Sequence, residues 1–240
     1  MTDTSGPEEE APPAVPATPG APAGVRARRS RLRRAAVGAV AVLVLLLLVN
    51  AFAVQPYRIT SGSMENTLRV GDRVLVNKLA YRFGDTPGRG DVVVFDGTGT
   101  FAVEDTGGTT VSHVLRTAGA LVGLAEPPGN DYVKRVVGVG GDRVTCCDEQ
   151  GRIEVNGEPL TEDYLHPEGG DARASTVDFD IVVPPGRLWV MGDHRADSRD
   201  SRDHLGRPGG GTVPVEDVIG RVEWVGWPAD RWAWLRTAHG

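Results

Sequence analysis

Residues 132–139 read Tyr-Val-Lys-Arg-Val-Val-Gly-Val, and this stretch is the strongest indication of the fold class. Aromatic and β-branched residues favour strands, and Gly140-Gly141-Asp142 predicts the turn that ends this one. From Tyr57 onward, runs rich in Val, Ile and Leu recur about every ten residues, with Gly, Pro, Asp and Asn between them. This pattern predicts an all-β domain. The other predicted strands are Arg73–Asn77, Asp91–Phe95, Asp142–Thr145, Arg152–Val155, Asp178–Val183, Leu188–Met191 and Val218–Trp224.

Two connections between these strands have their own signals. Asn156-Gly157 follows Arg152–Val155 directly, and this dipeptide favours a tight hairpin turn. Residues 96–130 are different in character, because they are first rich in glycine and then mildly amphipathic from Ser112 to Ala125. We interpret them as an insertion in the β domain with room for one short helix.

The N-terminal quarter of the chain does not share the β pattern. Residues 1–25 are rich in Pro, Ala and Gly and are predicted to be disordered, because they offer too little apolar surface to bury. Residues 26–34 carry six arginines. Residues 35–54 carry no charge, and as a helix they would span about 30 Å of hydrocarbon. We therefore predict a single transmembrane helix with a cytoplasmic N-terminus, since arginine clusters are held inside, and an extracytoplasmic domain over 55–240.

A cleavable secretory signal peptide is the alternative interpretation of the apolar span. An arginine-rich start, an apolar centre and Ala51-Phe52-Ala53 match its three-part pattern. The apolar run is longer than the roughly 7–15 residues usual in such leaders, which favours an uncleaved anchor. A mature N-terminus at Val54 would contradict the anchor.

The charge distribution excludes one large class of function. Residues 55–240 carry 20 basic and 28 acidic side chains, a net charge of −8. Nucleic-acid binding requires a clustered basic face, so no nucleic-acid partner is predicted. The uncharged span makes the lipid bilayer a predicted partner.

The two cysteines, Cys146 and Cys147, are neighbours in the sequence. A trans peptide would hold their Cα atoms about 3.8 Å apart, which is closer than disulfides prefer. Two states therefore remain open, a strained vicinal disulfide and a pair of thiols that are unpaired or oxidised between molecules. A redox or metal role is disfavoured because the chain has no second cysteine pair.

Ser63 and Lys134 are the residues that suggest catalysis. A serine hydroxyl attacks only when a nearby base accepts its proton, and lysine can be this base only when it is neutral. Burial among apolar neighbours lowers a lysine pKa, and valines flank Lys134 on its predicted strand. Ser63 lies nine residues beyond Val54, at most about 30 Å along the chain, so it is expected close to the outer bilayer surface.

Three other interpretations of the same residues are weaker. A histidine-based triad could use His113 or His194, although exposed or capping histidines are more common. A metal site would use Asp193, Asp197, Asp200, Asp203 and His204, but these carboxylates lack calcium-loop spacing and have arginines among them, so no metal or other cofactor is predicted. A non-catalytic, membrane-tethered β binding domain would explain the β pattern and the anchor, but not the serine and lysine segments.

These segments resemble, in the same order along the chain, the blocks of type I signal peptidases, the bacterial leader peptidases. The matching stretches are Ser61–Leu68, Gly71–Lys78, Arg89–Phe95, Asp131–Gly138 and Met191–Arg202. The chain departs from the common pattern at Thr60 and Asn66, where many relatives have proline, and at Ala196, where an acidic residue is common. The departures at Thr60 and Asn66 concern the rigidity of a loop and leave the chemistry unchanged.

The resemblance implies roles for individual side chains. Ser63 would be the nucleophile and Lys134 the general base, while the Ser63 backbone N–H and the Ser61 hydroxyl would form the oxyanion hole. Ser198 would hydrogen-bond the lysine amine and orient it. A structural ion-pair network would be formed by Asp193, Arg195, Asp200 and Arg202.

The resemblance also implies a substrate and a setting. The enzyme would be a monomer that removes signal peptides from exported preproteins, with small residues at positions −1 and −3 entering shallow apolar pockets. The preprotein would bind as an extended strand. The pocket residues by position would be Tyr57, Ile59, Leu68 and Val133.

Overall fold

The computed structural model describes residues 23–101, 130–167 and 173–235. The chain divides into two units, residues 1–44 and residues 45–240. The N-terminal element is helix α1, Ala23–Phe52. Among the described residues, no helix combines the length and the apolar character that crossing a membrane requires.

The bounds of α1 correct two sequence predictions. Residues 23–25 were predicted to be disordered, but the helix already begins at Ala23, because helices propagate cooperatively and Ala and Arg are good helix formers. Residues 53–54 were assigned to the same helix as residues 35–52, but it ends at Phe52 and Val54 begins a strand. Pro56 explains this end, since proline disfavours helical geometry at the residue before it and cannot continue a helix. Residues 1–22 lie outside the described part of the chain.

The described residues form twelve strands, all of them paired antiparallel. The strands are β1 Val54–Arg58, β2 Arg73–Asn77, β3 Val92–Asp96, β4 Asp131–Val139, β5 Arg143–Cys146, β6 Ile153–Val155, β7 Glu158–Pro159, β8 Phe179–Val182, β9 Arg187–Met191, β10 Val213–Pro214, β11 Val218–Trp227 and β12 Ala233–Trp234. The larger sheet has the order β1-β2-β11-β3-β4-β9-β10, with β12 paired to β11, and the smaller sheet has the order β7-β6-β5-β8. The mainly β prediction is therefore confirmed.

Each of the eight predicted strands corresponds to an observed one; Arg73–Asn77 matches β2 at both ends, and the ends of the others differ by at most three residues. The predicted hairpin is also present, since Val155 pairs with Glu158 across Asn156 (φ 56°) and Gly157 (φ 83°). Positive φ at both central residues is what the tight hairpin turn requires, and Asn-Gly adopts it readily. The strands that the sequence did not reveal are β1, which contains a proline, and the two-residue strands β7, β10 and β12.

The larger sheet places its strongest apolar positions around β3 and β4. Val92, Val93, Val94 and Phe95 are all at most 2% exposed, which is the continuous apolar run of a strand buried on both faces. The predicted insertion begins where β3 ends at Asp96, and β4 follows it at Asp131; residues 102–129, with the short helix predicted there, lie outside the described part.

Cys146 ends β5 and is bonded to Cys147 in a vicinal disulfide. The peptide between them is cis rather than the trans bond assumed above, so their Cα atoms are 3.0 Å apart. Of the two states left open by the sequence, the structure has the bridged one.

Candidate active site

Ser63 lies in a short 3-10 turn, Gly62–Met64, on the connection between β1 and β2. Met64 and Leu68 anchor this loop in the core, with exposures of 1% and 0%, and the Leu68 amide donates to the Met64 carbonyl at 2.7 Å. Ser63 itself is 6% exposed, and its Oγ lies 3.3 Å from Oγ of the more exposed Ser61. Apolar anchors on the C-terminal side therefore fix the position of the serine.

Lys134 approaches Ser63 from the middle of the larger sheet. It lies on β4, which is hydrogen-bonded to β3 on one side and to β9 on the other. Its side chain is 3% exposed, and Nζ lies 2.6 Å from Ser63 Oγ. Burial lowers the pKa of Lys134 to about 8, although the nearby carboxylates of Asp200 and Asp193 oppose this shift. About a tenth of the amine is therefore neutral at pH 7, and this share rises with pH, as a general base requires.

The turn after β9 holds the serine loop against the lysine. The amide of His194 donates to the Ser63 carbonyl at 3.1 Å. Gly192 comes so close that an added Cβ would lie 2.4 Å from the Ser63 carbonyl oxygen and 2.3 Å from Ser198 Oγ. Only glycine fits at this position without moving the serine loop.

Buried ion pairs lie around this turn, and two of them involve partners that the sequence did not identify. Of the four predicted residues, Asp200 and Arg202 pair with each other, with two nitrogen–oxygen contacts to Asp200 at 2.8 Å. Asp193 pairs instead with Arg135, at 2.8 Å and 2.6 Å, and Arg195 pairs with Glu162. The sequence offered one indication that Arg135 does not share the position of Lys134. The two residues are neighbours on a strand, and neighbouring side chains on a strand point to opposite faces.

Ser198 differs from its predicted role. Its hydroxyl donates to Asp200 Oδ2 at 2.8 Å, and the described contacts of Lys134 Nζ do not include it. The same oxygen of Asp200 also accepts from the Gly192 amide at 3.0 Å. A buried carboxylate is a stronger acceptor than an amine, so Asp200 fixes the direction of the Ser198 hydroxyl.

The four predicted pocket residues are brought together in one part of the core. Tyr57, Ile59 and Leu68 are buried in the same apolar cluster, and Val133 packs against it. Tyr57 also donates from its hydroxyl to Asp131 Oδ2 at 3.0 Å. Their role in binding substrate stays a prediction, because packing in the core would also bury them.

The alternative chemistries receive little support from the described residues. Two of the carboxylates of the supposed metal site, Asp193 and Asp200, are engaged by arginines as described above. His204 packs against Phe101, with ring centroids 4.4 Å apart, and His194 stacks on His166 at 4.1 Å. His113 lies outside the described part of the chain.

Comparisons with known proteins assign the family. The sequence profile of the family described as "Signal peptidase, peptidase S26" matches residues 32–227. A signal peptidase I from Mycobacterium tuberculosis is 42% identical over 207 residues, covering 78% of this chain and 70% of the relative. A probable signal peptidase I from Mycobacterium leprae is 41% identical, covering 78% and 73%. A crystal structure of a signal peptidase I from Enterococcus faecalis is 22% identical, with a TM-score of 0.37, and covers 57% of this chain and 97% of that one.

A profile match over most of the chain, together with relatives above 40% identity, excludes the alternative of a β binding domain without catalysis. The family is defined by peptide-bond hydrolysis, which agrees with a serine and a buried lysine brought together on a β scaffold. This chain therefore belongs to the signal peptidase family, peptidase S26, and is a serine peptidase.

Proposed function

We propose that this protein removes N-terminal signal peptides from exported preproteins, with Ser63 as nucleophile and Lys134 as general base. The observation that carries the proposal is the 2.6 Å separation of Lys134 Nζ and Ser63 Oγ in a site where the lysine is 3% exposed. The relatives named signal peptidase I support the choice of substrate.

Each step of this mechanism transfers one proton to or from Lys134. Neutral Lys134 accepts the hydroxyl proton as Ser63 Oγ attacks the scissile carbonyl, and the resulting ammonium donates it to the leaving amine. This releases the mature protein and leaves the signal peptide as an ester on Ser63. The lysine, neutral again, then deprotonates a water molecule that hydrolyses the ester and regenerates the serine.

Negative charge on the scissile carbonyl oxygen needs donors nearby. We assign this role to the Ser63 backbone N–H and the Ser61 hydroxyl. The 3.3 Å separation of the two serine Oγ atoms supports the assignment, because it places the Ser61 hydroxyl beside the atom that attacks.

An extended substrate is compatible with the sheet order. Strand β1 lies at one end of the larger sheet, and in the described part of the chain it is paired only with β2. Such an edge can bind a peptide through main-chain hydrogen bonds, with alternate side chains entering pockets. Tyr57 and Ile59 lie on and just after β1, where they would contact the residues at −1 and −3 together with Leu68 and Val133.

Membrane attachment through residues 35–54 is part of the proposal, with a cytoplasmic N-terminus and an extracytoplasmic catalytic domain. The uncharged span and the preceding arginines support it. In the catalytic domain, Trp227, Trp232 and Trp234 are 57%, 61% and 74% exposed. Exposed tryptophans suit the headgroup region of a bilayer, which would place the site where a cleavage site emerges from the membrane.

The decisive experiment compares the detergent-solubilised full-length protein with its Ser63→Ala, Lys134→Ala and Lys134→Arg variants on a synthetic preprotein peptide. Mass spectrometry of the products would locate the cleaved bond. We expect the wild type to cleave after the small residue at −1 and all three variants to be inactive, because a guanidinium stays protonated and cannot act as the base. The matched control is Lys78→Arg, at the other lysine of the chain, which should retain activity. Cleavage by either Lys134 variant at the wild-type rate would contradict the mechanism.

A further inference from the structure

We propose that Glu65, His166 and His194 form a binding site for one divalent transition-metal ion of the zinc class. Each of these residues offers one ligand atom, and the three atoms lie within 4.8 Å of one another. The site is adjacent to the serine loop, because Glu65 follows Met64, but it uses neither Ser63 nor Lys134. It also uses none of the buried carboxylates that pair with arginines.

The backbone holds the three ligands in place before any ion binds. The His166 amide donates to the Asp193 carbonyl at 3.0 Å, which ties His166 to the residue preceding His194. The His194 amide donates to the Ser63 carbonyl at 3.1 Å, which ties His194 to the loop that carries Glu65. The two imidazole rings are stacked, with centroids 4.1 Å apart and planes inclined by 20°. The three ligand residues therefore need little further ordering when a metal ion binds, and this favours a high affinity for the ion.

The donor set and its spacing are those of a zinc site. Two imidazole nitrogens and one carboxylate oxygen leave a fourth position for water, as in three-ligand zinc centres. For three atoms that all lie within 4.8 Å of one another, some point lies no more than about 2.8 Å from each, so shifts below about 1 Å would reach zinc bond lengths of about 2.0–2.2 Å. Nδ1 of His166 is buried and has no hydrogen-bond partner in the described part of the structure, so this nitrogen is available.

The local charge also favours a cation. A Cβ built on Gly62 would lie 3.3 Å from Asp197 Oδ2 and 3.5 Å from the carboxyl carbon of Glu65, so two carboxylates flank this point of the loop. Arg195, which follows His194 in the sequence, is engaged by Glu162. A second carboxylate near a metal centre attracts the ion and can orient its bound water.

The test is direct binding of Zn²⁺ to the full-length protein in detergent, purified without a histidine tag and under non-reducing conditions, so that Cys146 and Cys147 stay bridged. Calorimetry should give one ion per chain, and Co²⁺ should give the absorption bands of a four-coordinate site. We expect His166→Gln, His194→Gln and Glu65→Gln each to weaken Zn²⁺ binding at least about tenfold, since even the loss of an outer partner of a ligand costs 10–100-fold.

Two control variants make the result specific. His204→Gln changes a histidine that packs on Phe101, and Ser63→Ala removes the serine hydroxyl; both should bind Zn²⁺ with the wild-type dissociation constant. The Zn²⁺-induced rise in melting temperature, measured for each variant against its own metal-free baseline, separates lost binding from lost stability. The absence of saturable binding at one ion per chain, or wild-type affinity in His166→Gln and Glu65→Gln, would overturn the proposal. Because binding is measured without substrate, this outcome is independent of the proposed peptidase mechanism.

Discussion

Lys134 Nζ lies 2.6 Å from Ser63 Oγ although 71 residues separate them in the sequence, and both side chains are buried. The lysine therefore loses the solvation of its ammonium form, and no carboxylate among the described residues bonds to it directly. The same burial that lowers the pKa of Lys134 is expected to lower the free energy of unfolding. The pH dependence of catalysis and the pH dependence of stability can each be measured.

The first prediction concerns the pH dependence of catalysis. The pKa of Lys134 is lowered to about 8, and only the neutral amine accepts the serine proton. We expect kcat/KM for a preprotein peptide to rise with pH through about 8 and to fall about tenfold for each unit below it. A profile that is flat between pH 6 and pH 8 would contradict this assignment of the base.

The second prediction concerns stability. The pKa of Lys134 is lower in the folded protein than in the unfolded chain, so unfolding takes up a proton between about pH 8 and the unfolded value, and stability rises with pH over this range. Below about pH 8 the penalty is fully present and amounts to about 3 kcal/mol. We expect Lys134→Met to raise the free energy of unfolding at pH 7, measured by urea denaturation, and the gain to shrink as the pH rises to about 10. A variant less stable than the wild type at pH 7 would show that the ammonium is well solvated or paired.

The third prediction concerns the proposed oxyanion hole. Ser61→Ala should lower kcat by about 10²-fold or more with little change in KM, because the hydroxyl acts on charge that develops only in the transition state. Single-turnover kinetics with the same peptide would separate this effect from product release. Ser201→Ala is a control at a buried serine whose hydroxyl accepts from the Val190 amide. A change in KM alone would point to a role of Ser61 in substrate binding.

The fourth prediction concerns the ion pair behind the site. Arg135 and Asp193 make a two-point contact with exposures of 3% and 1%, and Arg135 also lies over the ring of Tyr164, 3.8 Å from its centroid. Arg135→Met leaves a buried carboxylate unpaired and should reduce the free energy of unfolding by about 3–5 kcal/mol.

The matched control for this pair is Arg143→Met, at the two-point pair with Asp180, which is exposed to solvent. Water screens such a pair, so its loss should shift the urea midpoint little. Equal shifts for the two variants would show that burial of the Arg135 pair does not matter for stability.

The strands were predictable because their signal is local. Runs such as Val92–Phe95 and Tyr132–Val139 carry enough β-branched and aromatic residues to favour strands, and Asn156-Gly157 marks a turn whatever surrounds it. Two-residue strands such as β7 and β10 contain no periodicity, so only their partners in the sheet define them.

For the candidate site as well, some features follow from local sequence and others only from the tertiary structure. The amino-acid sequence alone indicated the family and singled out Ser63 and Lys134 as candidate catalytic residues, because both inferences depend on segments whose residues are adjacent in the chain. The pairing of Arg135 with Asp193, the attachment of Ser198 to Asp200 and the stacking of His166 on His194 were decided by the tertiary structure. The physical reason is that such contacts depend on strand register and loop packing, and many acidic groups offer an arginine similar interactions until the fold selects one of them.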